Sequence, residues 1–281
     1  MIAELMLKAC AGVLIFVAAV SAHAQNNFFA RWEARTSATQ AKQPAWTPPL
    51  VTTFVPLIQV YRGDFTRQIG PTHATTWNYD GSKGLNLIPW AKTEFDINLP
   101  PLLTHSSPAT VDGAGDASFL AKYRIAAGNG HHGNYAISAF TGATIPTGSY
   151  RNGSTDATVS PGMGFGKGFG NFNLQSTLSA ALPTGDTTRL GRPVAWNTAA
   201  EYHLAKYFWP ETEFNATYFH GGPNDGRTQA FMTPGLMAAR KLRPSNDRSR
   251  LGLCVGAGEQ IATSSYHGYN HELVFTGRLV F

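Results

Sequence analysis

Charge, cysteine and long apolar runs are all scarce in this chain. Charged residues occupy only 14% of the 281 positions, against roughly 25% in ordinary soluble domains. The net charge of +5 is modest, and no basic cluster is interleaved with aromatic residues, which argues against nucleic acid as a partner. Of the two cysteines, Cys10 falls in a segment expected to be removed. Cys254 then stands alone, which excludes an intramolecular disulfide; it is expected to be a small residue packed within a strand. No apolar stretch after the N-terminus approaches the roughly 20 residues that a membrane helix requires. A glycine-rich membrane chain without such helices must satisfy its backbone by closing a sheet on itself, because lipid offers no hydrogen-bond partner.

The first residues imply export. Lys8 precedes an apolar run from Ala9 to Val20, followed by Ala22-His23-Ala24, the small-residue pattern of a cleaved signal peptide. The expected division is therefore 1–24 signal peptide, 25–54 irregular leader and 55–281 barrel. With Pro44, Pro48 and Pro49 and no periodicity, the leader is expected to be a periplasmic tail, a lumen plug being the alternative.

What the chain has in quantity is two-residue alternation. Phe172, Leu174, Leu178 and Leu182 share one face, while Asn173, Gln175, Thr177 and Ser179 share the other. Phe95, Ile97 and Leu99 likewise alternate with Glu94, Asp96 and Asn98, and Phe214 and Tyr218 with Glu213, Asn215 and Thr217. Strands are expected at 55–66, 72–88, 93–100, 117–127, 135–145, 158–167, 172–183, 195–204, 210–218, 230–240, 250–261 and 270–281. Their connections alternate between longer and shorter, as in barrels with extracellular loops and tight periplasmic turns. The fold class is thus all-β: a closed antiparallel transmembrane β-barrel of about twelve strands. Pro-Thr-Gly recurs at Pro146 and Pro183, and Pro-Gly at Pro161 and Pro234, spacings that fit one hairpin per repeat. Bulges are expected at Pro161 and Pro234, where each proline removes a ladder donor. At the end of the chain Leu273, Phe275, Leu279 and Phe281 alternate with Glu272, Thr276 and Arg278. This aromatic-terminated strand is the expected signal for the barrel assembly machinery.

Several motifs carry a family resemblance: Gly115-Asp116 with Lys122-Tyr123-Arg124, the two Pro-Thr-Gly ends, the Gly-Lys-Gly-Phe-Gly that begins at Gly166, Phe208-Trp209-Pro210-Glu211, and Thr233-Pro234-Gly235. In order and spacing the chain resembles the outer-membrane barrel transporters labelled for the meta-pathway of phenol degradation. The resemblance covers roughly residues 85–281. It implies a cell-outer-membrane channel for passive uptake of small solutes, with hydrophobic or aromatic compounds as candidates, and it assigns no catalytic residue.

The candidate lumen residues are Glu94 and Asp96 set against Lys122 and Arg124, and Asn197, Glu201 and His203 set against Glu213 and Asn215. The first group reads as a salt-bridge ladder or a charged constriction, the second as an acidic lining that favours cations. His131, His132, His267 and His271 read as loop residues, so neither metal nor cofactor is expected. Trp196, Trp209, Tyr202, Tyr218 and Phe219 read as an aromatic girdle in contact with lipid. Two rival classes remain. A structural or adhesive barrel would have a filled lumen, and an outer-membrane lipid hydrolase would need a Ser and His pair such as Ser106 or Ser107 with His105, or Ser264 or Ser265 with His267.

Overall fold

A computed structural model describes residues 27–79, 84–149, 151–242 and 250–281. The expected signal peptide lies outside the described residues. The chain divides into two units after Arg35, and Thr36–Phe281 is the compact unit that holds the strands. Helix α1 (Asn27–Gln40) crosses the boundary between them. The leader is therefore not irregular throughout, as Asn27–Gln40 contains neither Pro nor Gly to interrupt a helix.

The second unit is a sheet closed on itself. Its segments are β1 (Val60–Ile69), β2 (Thr75–Tyr79), β3 (Leu85–Trp90), β4 (Thr93–Asn98), β5 (Leu102–His105), β6 (Gly113–Ala114), β7 (Ala117–Gly128) and β8 (Tyr135–Ile145). There follow β9 (Thr158–Phe169), β10 (Phe172–Ala180), β11 (Leu182–Pro183), the short α2 (Thr187–Leu190), β12 (Val194–Tyr202), β13 (Phe208–Tyr218), β14 (Thr228–Lys241), β15 (Gly252–Ala262) and β16 (His271–Val280). The hydrogen-bonded order β1-β3-β4-β7-β8-β9-β10-β12-β13-β14-β15-β16 returns to β1, so the barrel has twelve antiparallel staves. β2, β5 and β6 prolong three of them at the long-loop rim. Closure between β1 and β16 runs from Val60↔Val280 to Ile69↔His271.

Alternation expresses itself with the hydrophobic order of a soluble protein inverted. Phe165, Phe172, Leu174, Leu178, Trp196, Tyr218 and Phe275 are exposed on the outside, whereas Gln175, Thr177, Glu201, Glu213, Thr233 and Arg278 are buried within. Strands of 9–14 residues, β9, β10 and β14 among them, rise ~3.3 Å per residue and, tilted by ~45°, span roughly the 25 Å apolar band of a membrane barrel. At the short-turn rim Gly170, with φ of 60°, reverses the chain between Phe169 and Phe172, a conformation that glycine adopts without Cβ strain.

Two local expectations change. Neither proline carries a bulge. Register is unbroken through Thr141↔Pro161 and Thr212↔Pro234, and the lost donor falls in a ladder gap, between β10 and β11 for Pro161 and between β14 and β15 for Pro234. The register shifts lie at Leu87/Trp90 and Arg124/Ala126 instead. The first stave begins at Val60 rather than at residue 55, because Val55, Leu57 and Ile58 are buried in the lumen.

Candidate functional site: a lumen occupied by the chain's own segment

Residues 43–59 have no strand of their own to pair with, yet Leu50, Val55 and Leu57 are almost wholly buried. A buried backbone must find partners for its N–H and C=O groups. Here the barrel wall supplies them from charged and amide side chains. Glu213 accepts from the amides of Val51 at 2.7 Å and Thr52 at 2.5 Å, and Glu211 accepts from Leu50 N at 3.1 Å. Gln175 accepts from Val55 N at 3.2 Å, and Glu94 accepts from Ile58 N at 2.5 Å. The carbonyls are met by cations. Arg278 donates to the oxygens of Pro48 and Pro49, Arg62 to that of Leu50, and Lys122 to that of Pro56. Two ion pairs brace the wall, Arg62–Asp64 at 2.7 Å and Lys122–Glu94 at 2.8 Å.

Glycines make room for the segment. On β9 the inward positions include Gly164 and Gly166, where an added Cβ would meet Val55 Cγ2 at 3.0 Å and the Trp46 ring at 2.5 Å. Added at Gly258 it would meet Leu50 Cδ1 at 2.6 Å. Leu50 packs with Met237, Cys254 and Val274, and Phe54 packs with Ile58 and Val60. The segment is thus seated in matched recesses, not loosely enclosed.

The predicted lumen residues are only partly brought together as expected. Glu94 faces Lys122 across β4 and β7, but Asp96 faces Leu120. Strands that run in opposite directions pair 96 with 120 once 94 pairs with 122. Arg124 therefore lies level with the β3–β4 turn and donates to the Thr39 and Ala91 carbonyls and to Gln43 Oε1 at 2.6–3.0 Å. Asn197 faces Asn215 and accepts its amide at 3.1 Å. Glu201 faces Glu211, which sequence reasoning missed although it shares parity with Glu213. His203 lies beyond the end of β12, stacked on Trp209 with ring centroids 4.4 Å apart and planes 2° from parallel. Trp209 thereby leaves the expected girdle, whereas Trp196, Tyr202 and Tyr218 remain exposed outside. Also missed were Arg62, Asp64 and Gln175, whose inward parity was the available signal. Of the proposed assembly residues, Leu273, Phe275 and Leu279 lie on the closing stave β16, and the Phe281 amide donates to Gln59 O.

Beyond the segment, toward the long loops, the lumen opens into a cavity of about 330 Å³ lined by Gln68, Asn78, Gln229, Gln260 and Tyr269 among others. Phe231 and Tyr269 stack there at 4.5 Å. Burial raises the Tyr269 phenol above its ordinary range, so its hydroxyl stays protonated and donates to Gln260 Oε1. At the long-loop rim His105, the last residue of β5, is bonded to Thr76 Oγ1 and Asn152 Oδ1, and in the last loop His267 is bonded to Ser264 O and Asn270 Oδ1. The hydroxyls of Ser106 and Ser264 accept backbone amides. Among the described residues, no group of three or more His, Cys, Asp or Glu could hold a metal ion.

The inverted faces, the twelve-stave closure and the hydrogen-bonded interior define an outer-membrane β-barrel. The chain belongs to the family described as "Putative MetA-pathway of phenol degradation", which matches residues 58–234. Among solved structures it is similar to an outer membrane channel from Pseudomonas putida F1, with 13% identity, a TM-score of 0.55 and coverage of 84% of this chain and 100% of that one. It is similar also to the NanC porin, with 10% identity, a TM-score of 0.50 and coverage of 79% and 98%. At these identities the likeness speaks for the fold alone. No curated protein matches the chain.

Proposed function

We propose that this protein is an outer-membrane channel for passive passage of small solutes, closed at rest by residues 43–59 and opened when that segment shifts. The observation that carries the reading is how the segment is held: by side-chain hydrogen bonds from Glu94, Gln175, Glu211, Glu213, Arg62 and Arg278, not by strand pairing. Such contacts can be exchanged for water one at a time, whereas a stave could not leave without opening the sheet. Hydrophobic or aromatic compounds are the candidate solutes suggested by the family description, and Glu201, Glu211 and Glu213 would bias the opened path toward cations.

The filled lumen favours a second reading, a structural barrel that never conducts. Planar-bilayer recording of the refolded mature protein separates the two. Brief openings that lengthen when residues 43–54 are deleted support the channel; a silent barrel in both forms supports the structural reading.

A further inference from the structure

A second cavity, of about 590 Å³, opens at the short-turn rim. Its volume lies within the range of small-molecule sites, roughly 300–1,000 Å³. One wall is the lumen segment, which contributes Trp46, Phe54 and Leu57, and the other is the inner face of the barrel, with Tyr207 and Trp209. Four cationic side chains border it, Lys206, Arg240, Lys241 and Arg250, and none of its described lining residues is acidic.

The placement of these groups is specific. Lys206 Nζ and Arg240 Cζ lie 5.3 and 5.8 Å from the centroid of the one Tyr207 ring, and Trp209 is held flat by His203. Among the described residues no ion pair engages Lys206, Arg240 or Lys241. An apolar, aromatic-walled recess with a one-sided rim of cations complements a molecule that is apolar at one end and anionic at the other. Trp209, Ala239, Lys241 and Cys254 have inward parity, so the body of the recess faces the lumen side, whereas Arg240, paired with the exposed Leu253, has outward parity and borders it at the rim.

We propose that this cavity binds a small amphipathic carboxylate, dissolved on the short-turn side, with its apolar body against Trp46 and Trp209 and its carboxylate toward Lys206, Arg240 and Lys241. The assignment deepens the channel reading and rests on it for the route of the solute. Binding is measured without transport, however, so the two can fail separately. Because the lumen segment forms one wall, the ligand and the closed position of that segment are linked, and a ligand that needs this wall holds the segment in place.

The test is calorimetry on the refolded mature protein in nonionic detergent with three matched probes: 3-phenylpropionate, 3-phenylpropanol and 3-phenylpropylamine. The carboxylate should bind at least about tenfold more tightly than the alcohol, with the amine weakest, and its affinity should fall several-fold between about 0.05 and 0.5 M salt. The double variant Arg240→Gln, Lys241→Gln should remove most of the carboxylate's advantage and leave the alcohol unchanged; Lys206→Gln, in the turn before β13 and 5.3 Å from the Tyr207 centroid, is an independent check should the double variant fold poorly. Equal binding of the three probes, no binding of any, or a carboxylate preference indifferent to all these substitutions would overturn the proposal. So would vesicles rich in phosphatidylglycerol competing for the rim while the soluble carboxylate does not bind, since that assigns the cations to lipid headgroups. A barrel that binds the carboxylate but never conducts would retain this site and refute the channel reading.

Discussion

Replacing Glu213 by Gln should release the lumen segment. Glu213 is fully buried, and its two oxygens accept the Val51 and Thr52 amides at 2.7 and 2.5 Å. Gln keeps one acceptor and turns an NH₂ toward the other N–H, so one bond is lost and the remaining one becomes neutral. With hydrogen bonds to charged groups worth roughly 1.5–3 kcal/mol each, the closed position should lose about 2–4 kcal/mol. The removal of one charge beside Glu211 and Glu201 offsets part of that and favours the lower end. At about 1.4 kcal/mol per factor of ten, the ratio of seated to unseated segment falls on the order of 30-fold or more. Sequence alone suggests that Gln at 201 and 213 would alter cation preference without disturbing structure; the contacts to Val51 and Thr52 place the effect of Glu213 on closure instead. The reporter is Cys254, a free thiol packed against Leu50. Its reaction with a small methanethiosulfonate should accelerate in Glu213→Gln by about the same factor, alongside longer openings in the bilayer. A normally inserted Glu213→Gln barrel with unchanged Cys254 reactivity and unchanged conductance would refute the reasoning.

Leu50→Ala empties a site lined by Met237, Cys254 and Val274, and should weaken seating of the segment by roughly 2–5 kcal/mol while leaving the heat-modifiable barrel intact, as gel mobility and Cys254 labelling would show. Gly166→Leu places a branched side chain where the Trp46 ring lies, so proteolysis within residues 43–54 should become faster although the exterior is unchanged. Phe281→Ala should lower the yield of membrane-inserted barrel without affecting signal-peptide removal; equal insertion would exclude Phe281 from the assembly signal. A protease site placed in residues 151–156, between β8 and β9, should be cut on intact cells, whereas one in residues 203–207, between β12 and β13, should not; the opposite pattern would invert the proposed topology.

Much of the barrel is legible in the amino-acid sequence, because each stave meets lipid on one face and the lumen on the other and so writes a period of two into the chain. Phe95 and Ile97 against Glu94 and Asn98, and Phe172 and Leu174 against Asn173 and Gln175, come out on the expected faces. Pairing is less legible. Alternation and turn length bring Glu94 to Lys122, but only the antiparallel register sets Arg124 level with Lys92 and not with Asp96. Trp209 shows the same limit, since its place near a strand end suits a girdle equally well until parity is counted from the buried Glu211.

Local alternation and turns a few residues long are enough to set the class of fold, the number of staves and the face on which each side chain lies. Closure of the lumen by the leader is of another kind and emerges only from tertiary contacts. Residues 43–59 have no period to read, and their backbone is satisfied by side chains 12 to 230 positions away, from Arg62 against Leu50 to Arg278 against Pro48. No local propensity encodes such partners; they meet only when β1 and β16 close the ring around the segment, and a buried backbone that would otherwise lack hydrogen bonds then fixes where it sits.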